Sequence, residues 1–333
     1  MRILAITNMY PSEDSPGSGA FVSDQINSLR DLGLAVRVLF VNRRREGAAV
    51  YYRMRAQIAE ALAEFQPHLI HVMYGGVMAL QVARHHHVRP ILVTFHGSDL
   101  LGENLSGWIR KLVSRYGVMC SRKAAKAADG VVVVARHLLC ALPRMKDEQK
   151  VCVLPCGIDL DHFKPLDTLA CKRQLQWNKD AFHVLFASGN GDPVKRPWLA
   201  EQAVQEASSR GLRAELHRMS HVPHREVPIW LNASDALLLT SAHEGSPTIV
   251  KEALACGVPI VSVPVGDVVE RIGSIDGCHI AAPQPPALAE KLLLVRARNR
   301  MLDCRAQLGD ISAQNIARRL NAFYEAIAPL KCC

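Results

Sequence analysis

The sequence predicts an α/β protein of two doubly wound domains, each built on a parallel sheet. Three observations predict this. In the first half, short aliphatic runs alternate with longer amphipathic stretches, the pattern of strand–helix–strand units. The alternation restarts at Phe182 in the second half, as a second domain would require. Residues 236–262, ALLLTSAHEGSPTIVKEALACGVPIVS, form one complete strand–loop–helix–strand unit. A chain of 333 residues is long enough to bury two cores.

Taken in order, the expected strands of the first domain are Ile3–Thr7, Ala35–Phe40, Leu69–Met73, Ile91–Phe95, Val131–Val134 and Val151–Leu154. The expected helices are Ala20–Leu32, Tyr51–Phe65, Val77–His86 and Leu105–Ala128. The second domain reads as strand Phe182–Ala187, helix Pro197–Arg210, strand Arg213–His217 and helix His224–Ala233. The central unit follows, with strand Ala236–Leu239, a helix from Pro247 or Thr248 to Ala255 or Cys256, and strand Val258–Val263. Pro at the helix start and Gly257 just past its end are the expected punctuation. The last helix, Ser312–Ala328, repeats Ile316, Leu320, Phe323 and Ile327 at core spacing.

The central unit carries chemistry. Its helix opens at the carboxyl end of a strand, where open α/β sheets bind ligands. The first-turn N–H groups lack intrahelical partners and act together like roughly half a positive charge, a seat for phosphate or sugar oxygens. Glu252 lies on the same helix face as Thr248, and Glu244 sits in the loop before the helix. Two carboxylates beside an anion seat suit ribose and sugar hydroxyls better than a bare phosphate.

Other stretches suit the same ligand. Gly17 and Gly19 follow the first strand and precede a helix, so the backbone can approach a ligand closely. His96 ends the fourth strand, before Gly97-Ser98-Asp99. Ser188-Gly189-Asn190-Gly191-Asp192-Pro193-Val194-Lys195-Arg196 is a glycine-rich turn that brings Lys195 and Arg196 to a helix start, a plausible pyrophosphate clamp.

The segment from Glu244 to Pro259 resembles the E-x7-E signature of glycosyltransferase family 4, written EG-(F/S)-P-x-x-x-x-EA-x-A-x-G-x-P. Thr94–Asp99 resembles that family's HG-(S/T)-D motif. Leu154–Pro165 resembles its PNGVD…F.P segment, with Cys156 in place of Asn, and Gly266–Arg271 its glycine-led segment. The resemblance implies a GT-B fold, two Rossmann-like domains facing a central cleft. The implied boundaries are 1–165, 166–311 and a final helix, 312–333, that crosses back to the first domain. It implies retaining transfer of a sugar from a nucleotide-diphosphate sugar, by family frequency a UDP-sugar, to a glycan or lipid-linked acceptor, with no metal or other cofactor. The motifs are closest to bacterial envelope-polysaccharide enzymes of the teichuronic-acid type.

By that resemblance His96, Lys195 and Glu244 are the catalytic candidates. Gly17, Gly19, Arg196, Gly245, Ser246, Pro247, Thr248, Ile249 and Glu252 are the donor-binding ones. Lys195 matches the family's diphosphate-neutralising lysine, whereas the family's arginine position holds Asn190 or Gly191, and Arg196 is the candidate replacement. Two other classes remain compatible at this point. One is a nucleotide-sugar 2-epimerase of the same fold, the other a nucleotide-sugar-binding protein without transfer activity.

Charge bears on partners. The chain carries 40 Lys and Arg against 31 Asp and Glu, and the excess is uneven. Up to Lys164 there are 21 against 14, and after it 19 against 17. A basic first half suits an anionic partner such as a membrane surface. The stretch 105–128 interleaves Trp108, Ile109, Leu112, Val113 and Tyr116 with Arg110, Lys111, Arg115, Arg122, Lys123 and Lys126. That pattern fits either a helix packed on the sheet or one docked on anionic lipid. Arg43-Arg44-Arg45 extends the basic surface or is a solvated loop. No nucleic-acid motif is present. No run of eighteen apolar residues and no leader-like start appear, so a cytoplasmic protein, peripheral to the membrane at most, is expected. Ten cysteines without paired CxxC spacing read as reduced thiols, and Cys332-Cys333 finds no physical account. His85-His86-His87 reads as a polar helix end.

Overall fold

The computed structural model describes residues 1–12, 18–85, 88–102, 107–145, 147–187, 192–298 and 301–329. The chain divides into two compact units, Met1–Gly157 with Ala313–Cys333, and Ile158–Ser312.

The first unit holds β1 (Arg2–Thr7), α1 (Ala20–Asp31), β2 (Ala35–Phe40), α2 (Arg43–Glu46), α3 (Val50–Phe65), β3 (Leu69–Val72), α4 (Gly76–His85), β4 (Ile91–Phe95), α5 (Ser98–Leu101), α6 (Trp108–Ala127), β5 (Gly130–Val133) and β6 (Val151–Val153). Its six strands form one parallel sheet in the order β2-β1-β3-β4-β5-β6. The inner strands β3, β4 and β5 are buried along their whole length. That is why they read as continuous apolar runs rather than as alternating ones.

The second unit holds α7 (Thr168–Gln174), β7 (Phe182–Ala187), α8 (Pro197–Ser209), β8 (Ala214–Met219), α9 (Val227–Ala233), β9 (Ala236–Leu239), α10 (Thr248–Ala255), β10 (Ile260–Ser262), α11 (Val268–Ile272), β11 (His279–Ile280) and α12 (Pro285–Arg298). Its sheet is parallel, in the order β11-β10-β9-β7-β8. Every residue of α10 from Ile249 to Ala255 is buried, which accounts for a helix this apolar.

The last helix, α13 (Ala313–Ile327), belongs to the first unit. Ile316, Ala317, Leu320 and Tyr324 are its buried face. Tyr324 Oη lies 2.7 Å from Nδ1 of His71, and Nε2 of His71 lies 2.7 Å from Thr94 Oγ1. Burial pulls the His71 pKa down to about 3, so the imidazole is neutral and both ring nitrogens are satisfied.

The structure differs from the sequence reading at several boundaries. The unit boundary falls at Gly157 rather than 165, because Ile158 and Phe163 pack in the second core. Helix α7, absent from the expected elements, follows, and its N-cap Asp167 accepts from the Ala170 N–H at 2.8 Å. The helix expected from Leu105 starts at Trp108, with residues 103–106 outside those described. Helix α10 opens at Thr248, one of the two starts expected, whereas β10 is three residues where six were expected. Arg43-Arg44-Arg45 opens a short helix capped by Asn42 rather than a loop.

Candidate active site

In the second unit the site is built around the mouth of α10, which opens after the carboxyl end of β9. Pro247 offers no side-chain cap, and the Val250 N–H of the first turn donates to the Pro247 carbonyl at 3.3 Å. In the loop that precedes α10, Glu244 Oε1 lies 2.6 Å from Lys195 Nζ, with both side chains largely shielded from solvent. The structure thus joins two candidates that the sequence had assigned to separate jobs.

Arg196 sits beside this pair but faces elsewhere. Its Nε donates to the Thr240 carbonyl at 2.6 Å and its Nη2 to that of Ser241 at 3.0 Å. Thr240 Oγ1 donates back to the Lys195 carbonyl at 2.7 Å, and the Ala242 N–H donates to the Val194 carbonyl at 2.8 Å. These bonds pin the 192–196 loop to the end of β9. Arg196 therefore anchors Lys195, and its expected place as a second diphosphate cation does not match this geometry. Residues 188–191, including Asn190 and Gly191, lie outside the described residues.

Glu252, one turn into α10, is 6% exposed. Its Oε1 lies 3.4 Å from Nε2 of His224. The His224 ring is held by Phe163 at 5.4 Å and His162 at 5.9 Å between centroids. Asp159 fixes that turn by accepting from the N–H groups of Asp161 and His162. Arg305 then bridges it to α10, donating to the carbonyls of Phe163 at 2.6 Å and Ala255 at 3.0 Å, and to that of Leu160.

Ser246 donates to Asp267 Oδ2 at 2.7 Å and accepts from Lys251 Nζ at 3.2 Å. Arg271 Nε adds a 2.9 Å bond to the same Asp267 oxygen. The Asp267 N–H donates to the Gly245 carbonyl at 3.2 Å, so the loop before α10 rests on the one before α11. At Gly266, with φ +57°, a Cβ would lie 2.6 Å from the Gly245 carbonyl oxygen, so only glycine permits this approach. Gly245, Pro247 and Ile249 are buried beneath the mouth, and Thr248 is half-buried.

In the first unit His96 follows β4. Its ring lies between Phe21, 4.9 Å away, and Tyr74, stacked at 6.2 Å, with Nδ1 3.8 Å from Cys156 Sγ. The turn beneath it is organised by Asp99. That carboxylate accepts from the N–H groups of His96, Gly97 and Gly75 at 2.9–3.2 Å. Burial nevertheless pushes the Asp99 pKa up to about 6. Gly19 precedes α1 at φ +70°, where a Cβ would sit 2.4 Å from the Met9 carbonyl carbon. Gly17 lies outside the described residues.

Comparisons with known proteins give the family. The family model described as Glycosyltransferase Family 4 matches residues 16–162, and the one described as Glycosyl transferases group 1 matches residues 164–297. The chain belongs to glycosyltransferase family 4. Among its relatives, the teichuronic acid biosynthesis glycosyltransferase TuaC of Bacillus subtilis is 26% identical, over 88% of each chain. The sucrose-phosphate synthase of Thermosynechococcus elongatus superposes with a TM-score of 0.74 at 16% identity, covering 98% of this chain and 96% of its own. The Anabaena protein Alr3699/HepE, solved with UDP-glucose, gives 0.71 at 17% identity, covering 98% and 100%. The fold is GT-B and the protein is a glycosyltransferase. That class of enzyme takes precedence over the epimerase and the non-catalytic readings.

Sequence reasoning missed His224, Asp267, Lys251 and Arg305. His224 stood at an expected helix start and Asp267 just after Gly266, but nothing in the spacing joined either to the E-x7-E segment. Lys251 lies inside that segment, and its full burial marks it as structural support.

Proposed function

We propose that this glycosyltransferase moves a sugar, with retention of anomeric configuration, from a UDP-sugar to an anionic glycan or lipid-linked acceptor of a bacterial envelope. The observation that carries the donor reading is the uncapped mouth of α10, flanked by buried Glu252 and the Lys195–Glu244 pair. A diphosphate takes the first-turn N–H groups and attracts Lys195 away from Glu244. The freed Glu244 then accepts from a donor-sugar hydroxyl, and Glu252 from the ribose. Charge developing on the leaving diphosphate meets Lys195 and the helix mouth, and this arrangement needs no divalent ion. The relative TuaC, named for teichuronic acid biosynthesis, and HepE, solved with UDP-glucose, favour the envelope acceptor and the uridine donor.

His96 serves the sugar or acceptor from the first unit. The leaving phosphate takes the acceptor proton on the face it departs from, so the new bond forms with retention. Asp99 positions His96 by holding its backbone and that of Gly97.

The first unit also supports an anionic acceptor. Along α6, Trp108, Ile109, Leu112, Val113 and Tyr116 are more than half exposed, while Cys120, Ser121, Ala124 and Ala125 are its buried residues. A groove of about 1000 Å³ beside it is lined by Lys111, Arg115, Arg122, Lys123 and Lys126. Exposed apolar rings among cations suit a membrane interface rich in anionic lipid. No helix among the described residues is long and apolar enough to cross a membrane.

The test is turnover of UDP-sugars on short envelope-type acceptors without added magnesium, with the product anomer read by NMR. Retained configuration from a UDP-sugar supports the proposal. An inverted product, or turnover only with added magnesium, contradicts it.

A further inference from the structure

Three potential metal ligands meet on the edge of the second sheet. His183 is the second residue of β7, and Glu215 and His217 are the second and fourth of the edge strand β8. The strands run parallel with His183 opposite Glu215, so all three side chains share one face of the sheet. His183 Nδ1 lies 2.8 Å from His217 Nε2, and Glu215 Oε2 lies 3.7 Å from the first and 3.8 Å from the second. A circle through three atoms at these separations has a radius of about 2.0 Å, the length of a zinc bond to imidazole or carboxylate.

The surroundings suit an ion. His183 Nε2 lies 2.7 Å from the Asn178 carbonyl, which can only accept, so the ring proton is on Nε2 and the lone pair of Nδ1 points at the cluster. A backbone carbonyl behind a histidine is a common orienting partner of metal ligands. Trp177 stacks on His217 at 3.5 Å and 11°, fixing the second imidazole. Glu215 is half exposed and leaves an entry path.

We infer that His183, Glu215 and His217 form a zinc site that fastens β8 to β7. The ion replaces the proton shared between the two rings, which moves to Nδ1 of His217. The role is structural. His183 precedes the carboxyl end of β7 by four residues, roughly 13 Å of strand, so the ion is remote from the loop carrying Lys195. The sequence hid the site because its ligands come from two strands and form no short motif.

The experiment uses tag-free, full-length protein dialysed against a chelator. Zinc alone is titrated by calorimetry and its effect on thermal unfolding recorded, for wild type, Glu215→Gln and His217→Gln. The expected result is one equivalent bound by a site that raises the Tm and is weakened at least about tenfold in each variant. Glu215→Gln changes a half-exposed residue, so its metal-free Tm should match wild type and separate lost binding from misfolding. Cobalt substitution should give weak visible bands without thiolate charge transfer, which distinguishes this site from the cysteines. Zinc binding that is absent, equal in all three proteins, or accompanied by thiolate bands would overturn the inference.

Discussion

Lys195 Nζ and Glu244 Oε1 stand 2.6 Å apart at the mouth of α10, each satisfying the other. A donor that binds here must separate them, offering its diphosphate to the lysine and a hydroxyl to the glutamate. Lys195→Ala should therefore cost about 10²–10³ in kcat, as loss of a transition-state charge stabiliser does. UDP binding should weaken far less. Steady-state kinetics with a UDP-sugar checks this, and a change confined to KM would contradict the assigned role.

His224 lies 3.4 Å from Glu252 and is held by the Phe163 and His162 rings. His224→Phe keeps the ring packing and removes the polar contact. UDP affinity should fall about 2- to 10-fold, the worth of one ordinary hydrogen bond. Calorimetric titration reads it directly. An unchanged Kd would mean that His224 does not orient Glu252.

Two buried groups set opposing pH dependences in the first unit. His71 has a pKa near 3 in the fold against 6.5 when unfolded, so its contribution is present above pH 6.5 and lost as pH falls toward 3. The slope is about 1.4 kcal/mol per pH unit. Asp99, raised from 3.8 to about 6, contributes stability below pH 3.8 that is lost as pH rises through 6. Asp99→Asn has no such titration, so the stability of wild type relative to the variant should shrink between pH 4 and 6. Denaturant unfolding across that range measures it, and a constant difference would refute the assignment.

The exposed start of α6 makes a lipid-binding prediction. The protein should sediment with vesicles containing phosphatidylglycerol and not with phosphatidylcholine alone. Replacing Lys111 and Arg115 by Gln should lower partitioning about 30-fold, at roughly 1 kcal/mol per cation. Trp108→Ala should weaken it further through lost apolar burial. Equal binding to neutral vesicles would sink the electrostatic reading.

Local periodicity and punctuation were enough for most strands and for α10, because Pro247 and Gly257 mark its ends and its buried residues are contiguous. The same cues could not show that Arg196 would turn onto the carbonyls of Thr240 and Ser241, or that His224 would reach Glu252. Those contacts depend on where separate loops meet at the ends of β7, β8 and β9. The pattern in α6 was legible as amphipathic, but periodicity does not say whether an apolar face meets the sheet or solvent. Here Trp108 through Tyr116 face solvent and the small residues near Ala124 are buried.

The central claim is that the mouth of α10, with Glu252, holds the nucleotide. The most direct test is the thermal shift given by UDP, with GDP and ADP alongside, with and without magnesium, in wild type and Glu252→Ala. The account predicts stabilisation of wild type by UDP, indifferent to magnesium, and an apparent affinity at least about tenfold weaker in the variant. Equal stabilisation of both proteins by UDP, or none of wild type, would contradict it.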